Sequence, residues 1–329
     1  MSMGLLDEIR LFLGEDWSRT ESLIRDSLRS DIALLNATNG SLLSRLGKQL
    51  RPMLALLAAR ACAGAANADS IRVAATAELM HNATLLHDDV VDESQRRRGA
   101  PTVMALLGGR ASVLIGDFWL VRAVGNLLSS RTMPGEVVRI FAKTLSDLAE
   151  GEMLQMEKAD SGDTDERDYL RIIYSKTASL FEASVVSAAM SVNADAVLVE
   201  ALRTYAVRLG TAFQIRDDMF DYASGDEIGK PVGIDLQEQK ITLPLLGALE
   251  AVSPETAQSI RAKVVSIHDH PSAGAEVHDF VLAHDGLGYA SRRLDAFVAQ
   301  AVQALEPLPE SEEKSYLAAL ARFTAWRSQ

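Results

Sequence analysis

The stretch Leu79-Met80-His81-Asn82-Ala83-Thr84-Leu85-Leu86-His87-Asp88-Asp89-Val90-Val91-Asp92 is an apolar helical run that closes on three carboxylates. A second stretch repeats its ending: after the apolar segment Leu209 to Ile215 comes Asp217-Asp218-Met219-Phe220-Asp221. On a helix, residues four apart are surface neighbours, so Asp88 shares a face with Asp92, and Asp217 with Asp221. The members of each pair are about 6 Å apart along the axis, at a rise of about 1.5 Å per residue. Carboxylates this close repel unless a cation stands between them. Hard oxygen donors suit Mg²⁺, which keeps waters and takes further ligands from substrate phosphates. A solvated acidic face is the ordinary reading of one such run. Both runs, however, end helices that bury themselves, and an unpaired buried carboxylate is costly. The pattern predicts a metal-binding cavity that handles a diphosphate.

Outside these runs, no proline occurs between Pro52 and Pro101 or between Pro134 and Pro231. Alanine, leucine, glutamate and arginine fill those windows, and all are strong helix formers. No series of short alternating strands with turn signals interrupts them. With 329 residues and 48% hydrophobic content, the expectation is an all-α protein with a large core, read as a single domain over 1–329. The net charge of −12 argues against a nucleic-acid partner, which leaves a basic stripe. It does not exclude an anionic substrate, because bound Mg²⁺ inverts the local field. Cys62 is the only cysteine, which rules out an intrachain disulfide, fits a reducing compartment and reads as a small buried apolar residue. Arg60, Asp117 and Glu182 interrupt apolar runs short of the ~18 residues of a membrane span. The early acids Asp7, Glu8, Glu15 and Asp16 lack the basic-then-apolar order of a signal peptide. The expected location is the cytoplasm, with no integral membrane segment.

Punctuation divides the rest. An amphipathic segment from about Thr20 to Leu35 precedes a turn at Asn39-Gly40, and Pro52 suits the first position of a helix through Ala63. Asp69-Ser70 reads as the start of the next helix, stopped by Gly99 and Pro101. Helical segments follow over Pro101 to Leu128, Pro134 to Lys158, Tyr169 to Asn193 and Ala196 to Tyr222, then a glycine-rich loop, Gly225 to Gly233. From Leu245 on, shorter surface helices are expected.

Seven ordered motifs between about residues 45 and 245 resemble the trans-isoprenyl diphosphate synthases, the polyprenyl synthetase family, and most of all its long-chain, octaprenyl-type members. They are Gly47-Lys48-x-x-Arg51-Pro52; Glu78-x-x-His81 running into the first acidic run, with Arg97-Arg98-Gly99 after it; Gly116-Asp117; Lys176-Thr177; Phe213-Gln214-x-x-Asp217-Asp218-x-x-Asp221; Gly229-Lys230-Pro231-x-Gly233-x-Asp235; and Lys240-x-Thr242-x-Pro244. The resemblance implies an isoprenoid synthase-type helical bundle around a deep central cavity, usually in a homodimer. It also implies a reaction in which an allylic diphosphate such as farnesyl diphosphate ionises, isopentenyl diphosphate attacks, and a proton leaves. Ionisation needs charge stabilisation in a dry site.

By that resemblance Asp88, Asp92 and Asp217 hold Mg²⁺, three ions per active site, with Asp218 and Asp221 ordering the second cluster directly or through water. Arg97, Lys176, Lys230 and Lys240 contact the allylic diphosphate. Thr177 and Gln214 offer oxygens near the developing cation. Lys48, Arg51, His81 and Arg98 bind isopentenyl diphosphate, where the planar fork of arginine suits phosphate. Gln49 stands where relatives often carry a basic residue, and the C-terminus Trp326-Arg327-Ser328-Gln329 has one basic residue where many have more.

Ala83, five residues before the first acidic run, stands where shorter-chain relatives place an aromatic, so the growing tail is expected to pass it. Met80, one turn deeper, is flexible and yields to a tail, so the product is expected at about thirty to fifty carbons. Trp119 and Met156 are candidates for the floor. A farnesyl or geranylgeranyl diphosphate synthase is the short-chain alternative. A terpene cyclase would mix Asn, Ser or Thr into its second motif and would not need the cationic isopentenyl site. A non-catalytic subunit of a heteromeric synthase would have lost acidic residues that are all present here.

Overall fold

The computed structural model of the chain describes residues 4–326 apart from Arg98, Met133 and residues 223–232. The helices in chain order are α1 (Leu5–Leu13), α2 (Glu15–Ser27), α3 (Ala33–Leu43), α4 (Leu50–Ala63), α5 (Ala68–Val91), α6 (Val103–Leu107), α7 (Gly109–Leu128), α8 (Pro134–Ser161) and α9 (Glu166–Ile173). After a π-helical turn, Tyr174–Ala178, come α10 (Ser179–Ser191), α11 (Ala196–Phe220), α12 (Ile234–Gln237), α13 (Leu243–Glu250), α14 (Pro254–Val265), α15 (Ser272–Ala283), α16 (Gly286–Ala304) and α17 (Glu312–Trp326). Among the described residues the strands are β1 (Arg96–Arg97) and β2 (Ala100–Pro101), an antiparallel pair with Arg97 opposite Ala100. The all-α expectation holds.

The chain divides into two compact units. The first comprises 1–142, 183–202 and 307–317. Its centre is α5, which packs on α4 and, along much of its length, on α7. The α5–α7 approach is close because Gly116 has no side chain: a Cβ there would strike the His87 ring. The N-cap of α5 is Asn67, not the expected Asp69. The Asn67 side chain accepts from the backbone N–H of Asp69 and Ser70 in a capping box. Buried Asp69 instead accepts from the N–H groups of Arg131 and Thr132 at 2.9 and 2.8 Å and pairs with Arg72. It ties down the loop after α7.

The second unit comprises 143–182, 203–306 and 318–329. Pro244 and Pro254 sit in the first turns of α13 and α14, where a missing N–H is harmless. The helices after Leu243 are more than a surface layer, since α13 packs on α16 and Ala248, Val264, Val277, Val281 and Ala290 are fully buried. The sequence expectation is corrected there. Among the described residues one helix, α7, is long and apolar enough to cross a membrane by length and composition, Asp117 notwithstanding, and a third of its most apolar window is buried.

Candidate active site

Both acidic runs lie at the C-terminal ends of their helices. Asp88 is in the last turn of α5, Asp92 is its C-cap, and the Asp92 N–H still donates to the Asp88 carbonyl at 2.8 Å, so the helical spacing carries through the pair. Asp217 and Asp218 are in the last turn of α11, and Asp221 follows it. A helix C-terminus carries roughly half a negative charge and favours cations. Neither last turn contains a basic residue. Carboxylates four residues apart at the negative end of a helix are the kind of group a divalent cation relieves, and their hard oxygens match Mg²⁺. Among the described residues no three His, Cys, Asp or Glu side chains converge to hold an ion unaided.

In the first unit, Asp89 is buried and accepts from Arg97 Nε at 2.8 Å. The β1–β2 hairpin is thereby fastened to α5, with Thr102 closing its base on the Ser94 and Gln95 carbonyls. Arg98 and Lys230 lie outside the described residues. Lys48 precedes the left-handed Gln49 (φ 54°) that starts α4, and the Lys48 carbonyl accepts from Arg10 at 3.2 Å. Arg51 is buried, its carbonyl bonded by Ser184 Oγ at 2.9 Å. His81 is half-buried on α5, one turn after buried Glu78, whose carboxylate accepts from Asn82 at 3.0 Å.

Met80, Ala83 and Trp119 are fully buried in this unit, and Trp119 Nε1 donates to Asn39 at 2.9 Å. Met156, by contrast, is 54% exposed and lies on the same face of α8 as exposed Met153.

The second unit holds a cavity of about 80 Å³ lined by Lys158, Tyr169, Lys176, Gln214, Asp218 and Lys240, among others. The π-helical turn supplies Lys176 and Thr177. Such a turn inserts one residue into the helical ladder and recurs at functional sites. It is gripped on two sides: a Cβ on Gly151 of α8 would lie 2.5 Å from Ser175 Cβ, and one on Gly210 of α11 would lie 2.6 Å from Ala178 Cα.

Thr177 donates to Gln214 Oε1 at 2.7 Å, and Gln214 Nε2 donates to Asp218 Oδ1 at 2.8 Å. Tyr169 donates to Asp218 Oδ2 at 2.6 Å. Burial pushes the Asp218 carboxyl up to about 7, although both donors favour its charged form. Asp221 accepts from the N–H groups of Ile234 and Asp235 at 2.9 and 3.0 Å and so caps α12, and burial raises it as well. Desolvation and the carboxylates of Asp218 and Asp221 push Asp235 well above the usual range. Lys240 is ion-paired with Glu238, and Lys176 with Glu152 at 2.6 Å.

Tyr169 and Glu152 escaped the sequence reading. Neither belongs to a charged motif, and each is recognisable only through what it touches. Asp235 was visible within the Gly229-to-Asp235 motif but had been given no role.

A helical chain with an acidic run at the end of each of two helices and a lysine-lined cavity fits an all-α prenyltransferase. The family model for polyprenyl synthetase matches residues 32–279, and the chain belongs to that family. Octaprenyl diphosphate synthase of Escherichia coli (strain K12) is 38% identical over 98% of this chain and 99% of its own. The all-trans-nonaprenyl-diphosphate synthase (geranyl-diphosphate specific) of Rhodobacter capsulatus is 36% identical, with full coverage of both. The crystal structure of a polyprenyl synthase from Caulobacter crescentus CB15, complexed with calcium and isoprenyl diphosphate, superposes with a TM-score of 0.90 at 34% identity, also over the whole of both chains. The chain is thus a prenyltransferase with the all-α isoprenoid synthase fold, and its relatives favour the long-chain reading.

Proposed function

We infer that the chain is an all-trans-polyprenyl diphosphate synthase that adds isopentenyl diphosphate head-to-tail to an allylic diphosphate, over one catalytic domain spanning 1–329. The observation that carries this reading is the pair of acidic runs at negative helix ends, with no basic residue in either last turn. Asp88, Asp92 and Asp217 are the ligands for Mg²⁺. Asp218 and Asp221, whose oxygens also accept from protein donors, order the second cluster directly or through water. When bound, Mg²⁺ supplies charge stabilisation for the departing diphosphate.

Lys176 and Lys240 hold that diphosphate, and Lys230 and Arg97 complete the set. Lys48, Arg51, His81 and Arg98 hold isopentenyl diphosphate. Gln214, fixed through its carbonyl by Thr177 and through its amide by Asp218, keeps an oxygen dipole beside the cation without becoming a nucleophile. Full-length likeness to octaprenyl and nonaprenyl synthases and the small side chain of Ala83 support a product of about thirty to fifty carbons, with flexible Met80 giving way beneath it.

A homodimer is supported by the exposed stripe Leu114, Val121 and Leu128 on α7, seven residues apart and therefore on one face. Cys62 is the single cysteine, which suits a reducing compartment such as the cytoplasm. The test is to incubate the purified chain with Mg²⁺, isopentenyl diphosphate and farnesyl diphosphate and to resolve product length by chromatography. No condensation by the single chain favours the subunit reading, and products of twenty carbons or fewer favour the short-chain one.

A further inference from the structure

Lys176 projects from the π-helical turn, and its Nζ meets two side chains of α8: Glu152 Oε1 at 2.6 Å and Gln155 Oε1 at 3.3 Å. Glu152 and Gln155 are three residues apart and so share a helix face. The side chains of Lys176 and Glu152 are 27% and 28% exposed, which leaves the pair in contact with water. An ion pair so placed contributes little to stability. What it changes is geometry. A lysine side chain carries roughly 2 kcal/mol of rotamer entropy, and a cation already held in place binds phosphate without that loss.

The helix carrying Glu152 also packs closely beside the turn carrying Lys176. Glu152 follows Gly151, the residue whose missing side chain lets α8 touch Ser175, next to Lys176. Acid, lysine and the close approach of Gly151 to Ser175 beside them form one local unit.

We propose that Glu152 is a positioning residue for the condensation, orienting Lys176 toward the allylic diphosphate; this rests on the synthase reading above. Glu152 acts through Lys176 and touches neither substrate. Isopentenyl diphosphate, held by other cations, is indifferent to it.

The experiment is a double-mutant cycle on the full-length protein, measuring kcat and both KM values with Mg²⁺, isopentenyl diphosphate and farnesyl diphosphate. Glu152→Ala should raise the allylic KM roughly tenfold, the scale of one charge-assisted hydrogen bond. The KM for isopentenyl diphosphate should stay within about twofold, the limit within which independent sites add. Glu152→Gln, which keeps an oxygen for Nζ, should recover most of the loss. In the Lys176→Ala background, Glu152→Ala should add nothing beyond about twofold. A further large loss in that background means that Glu152 works directly on metal or substrate and overturns the proposal. So does an unchanged allylic KM, or a fall in kcat that tracks a lowered Tm and that glutamine does not rescue. A wild-type chain that makes no polyprenyl diphosphate removes the synthase reading itself; a wild-type chain that condenses while the cycle fails removes this proposal alone.

Discussion

Asp89 and Arg97 form a 2.8 Å ion pair in which the carboxylate is buried and the guanidinium about one-third exposed. The middle acid of the first run is therefore committed to the hairpin that follows it. Asp89→Ala leaves Arg97 of the hairpin without its acceptor on α5, and a hydrogen bond to a charged group contributes about 1.5–3 kcal/mol, reduced here by solvent on the arginine. Urea unfolding should show a loss of about 1–2 kcal/mol. A midpoint unchanged from wild type would mean that the hairpin is held by Thr102 alone.

Asp88→Ala and Asp217→Ala should each lower turnover with Mg²⁺ by about 10²–10³-fold, the effect of removing one preorganised charge-stabilising group. Folding should survive, because each removes a carboxylate from the negative end of a helix. Near-wild-type turnover in either variant rejects the ligand assignment.

Lys48→Ala should raise KM for isopentenyl diphosphate and change the allylic KM little. Lys48 and Arg51 flank the start of α4, whereas Lys176 and Lys240 belong to the lined cavity of the other unit. Titrating each substrate against saturating amounts of the other decides it, and an equal rise in both would show that the cations do not divide into two sets.

Ala83→Tyr should shorten the product to about fifteen or twenty carbons, because an added ring fills the passage; in a well-packed site it also costs about 1–3 kcal/mol of stability. Ala83 is 1% exposed, so Tm must be followed alongside the chromatogram. A folded, active variant with wild-type product length places the tail elsewhere.

The metal-free protein should grow less stable relative to Asp218→Asn as pH rises from about 4 to about 7. The sign follows from burial. The native carboxyl is raised from 3.8 to about 7, so within that window the native state keeps a proton that the unfolded chain has lost. Stability therefore falls as pH rises, and the asparagine variant lacks this slope. Melting curves in chelator across the window test it; parallel curves for the two proteins would place Asp218 in a more hydrated setting.

The acidic runs and the helices bearing them were legible because spacing and apolar content are local properties of the chain. The end of α5 was not: Gly99 and Pro101 read as its stop, whereas the helix ends at Val91 with Asp92 as C-cap and Pro101 belongs to the β1–β2 hairpin. The π-helical turn was not legible: Tyr174-Ser175-Lys176-Thr177-Ala178 carries no breaker, and its close contacts are with Gly151 and Gly210 on other helices. The partners of Lys176 and Asp218 stayed hidden for the same reason, since Glu152 and Tyr169 come near only after packing. At α5 the misread cap was a local competition: Asn67, Asp69 and Ser70 are all good N-caps, and Asp69 was taken by a loop far along the chain.

The π-helical turn also sets a rule for length variation in this chain. Its extra residue moves everything after it by about 100° of helix phase relative to what precedes it. Before it, Tyr169, Ile172 and Ile173 line the cavity; within it, Thr177 reaches Gln214 and Ala178 rests against Gly210. Deleting any one residue of Tyr174–Ala178 would restore a regular helix while swinging one half of this constellation away from the other. Deletions and insertions here must therefore come in compensating pairs, whereas point changes at Tyr174 leave the phase intact.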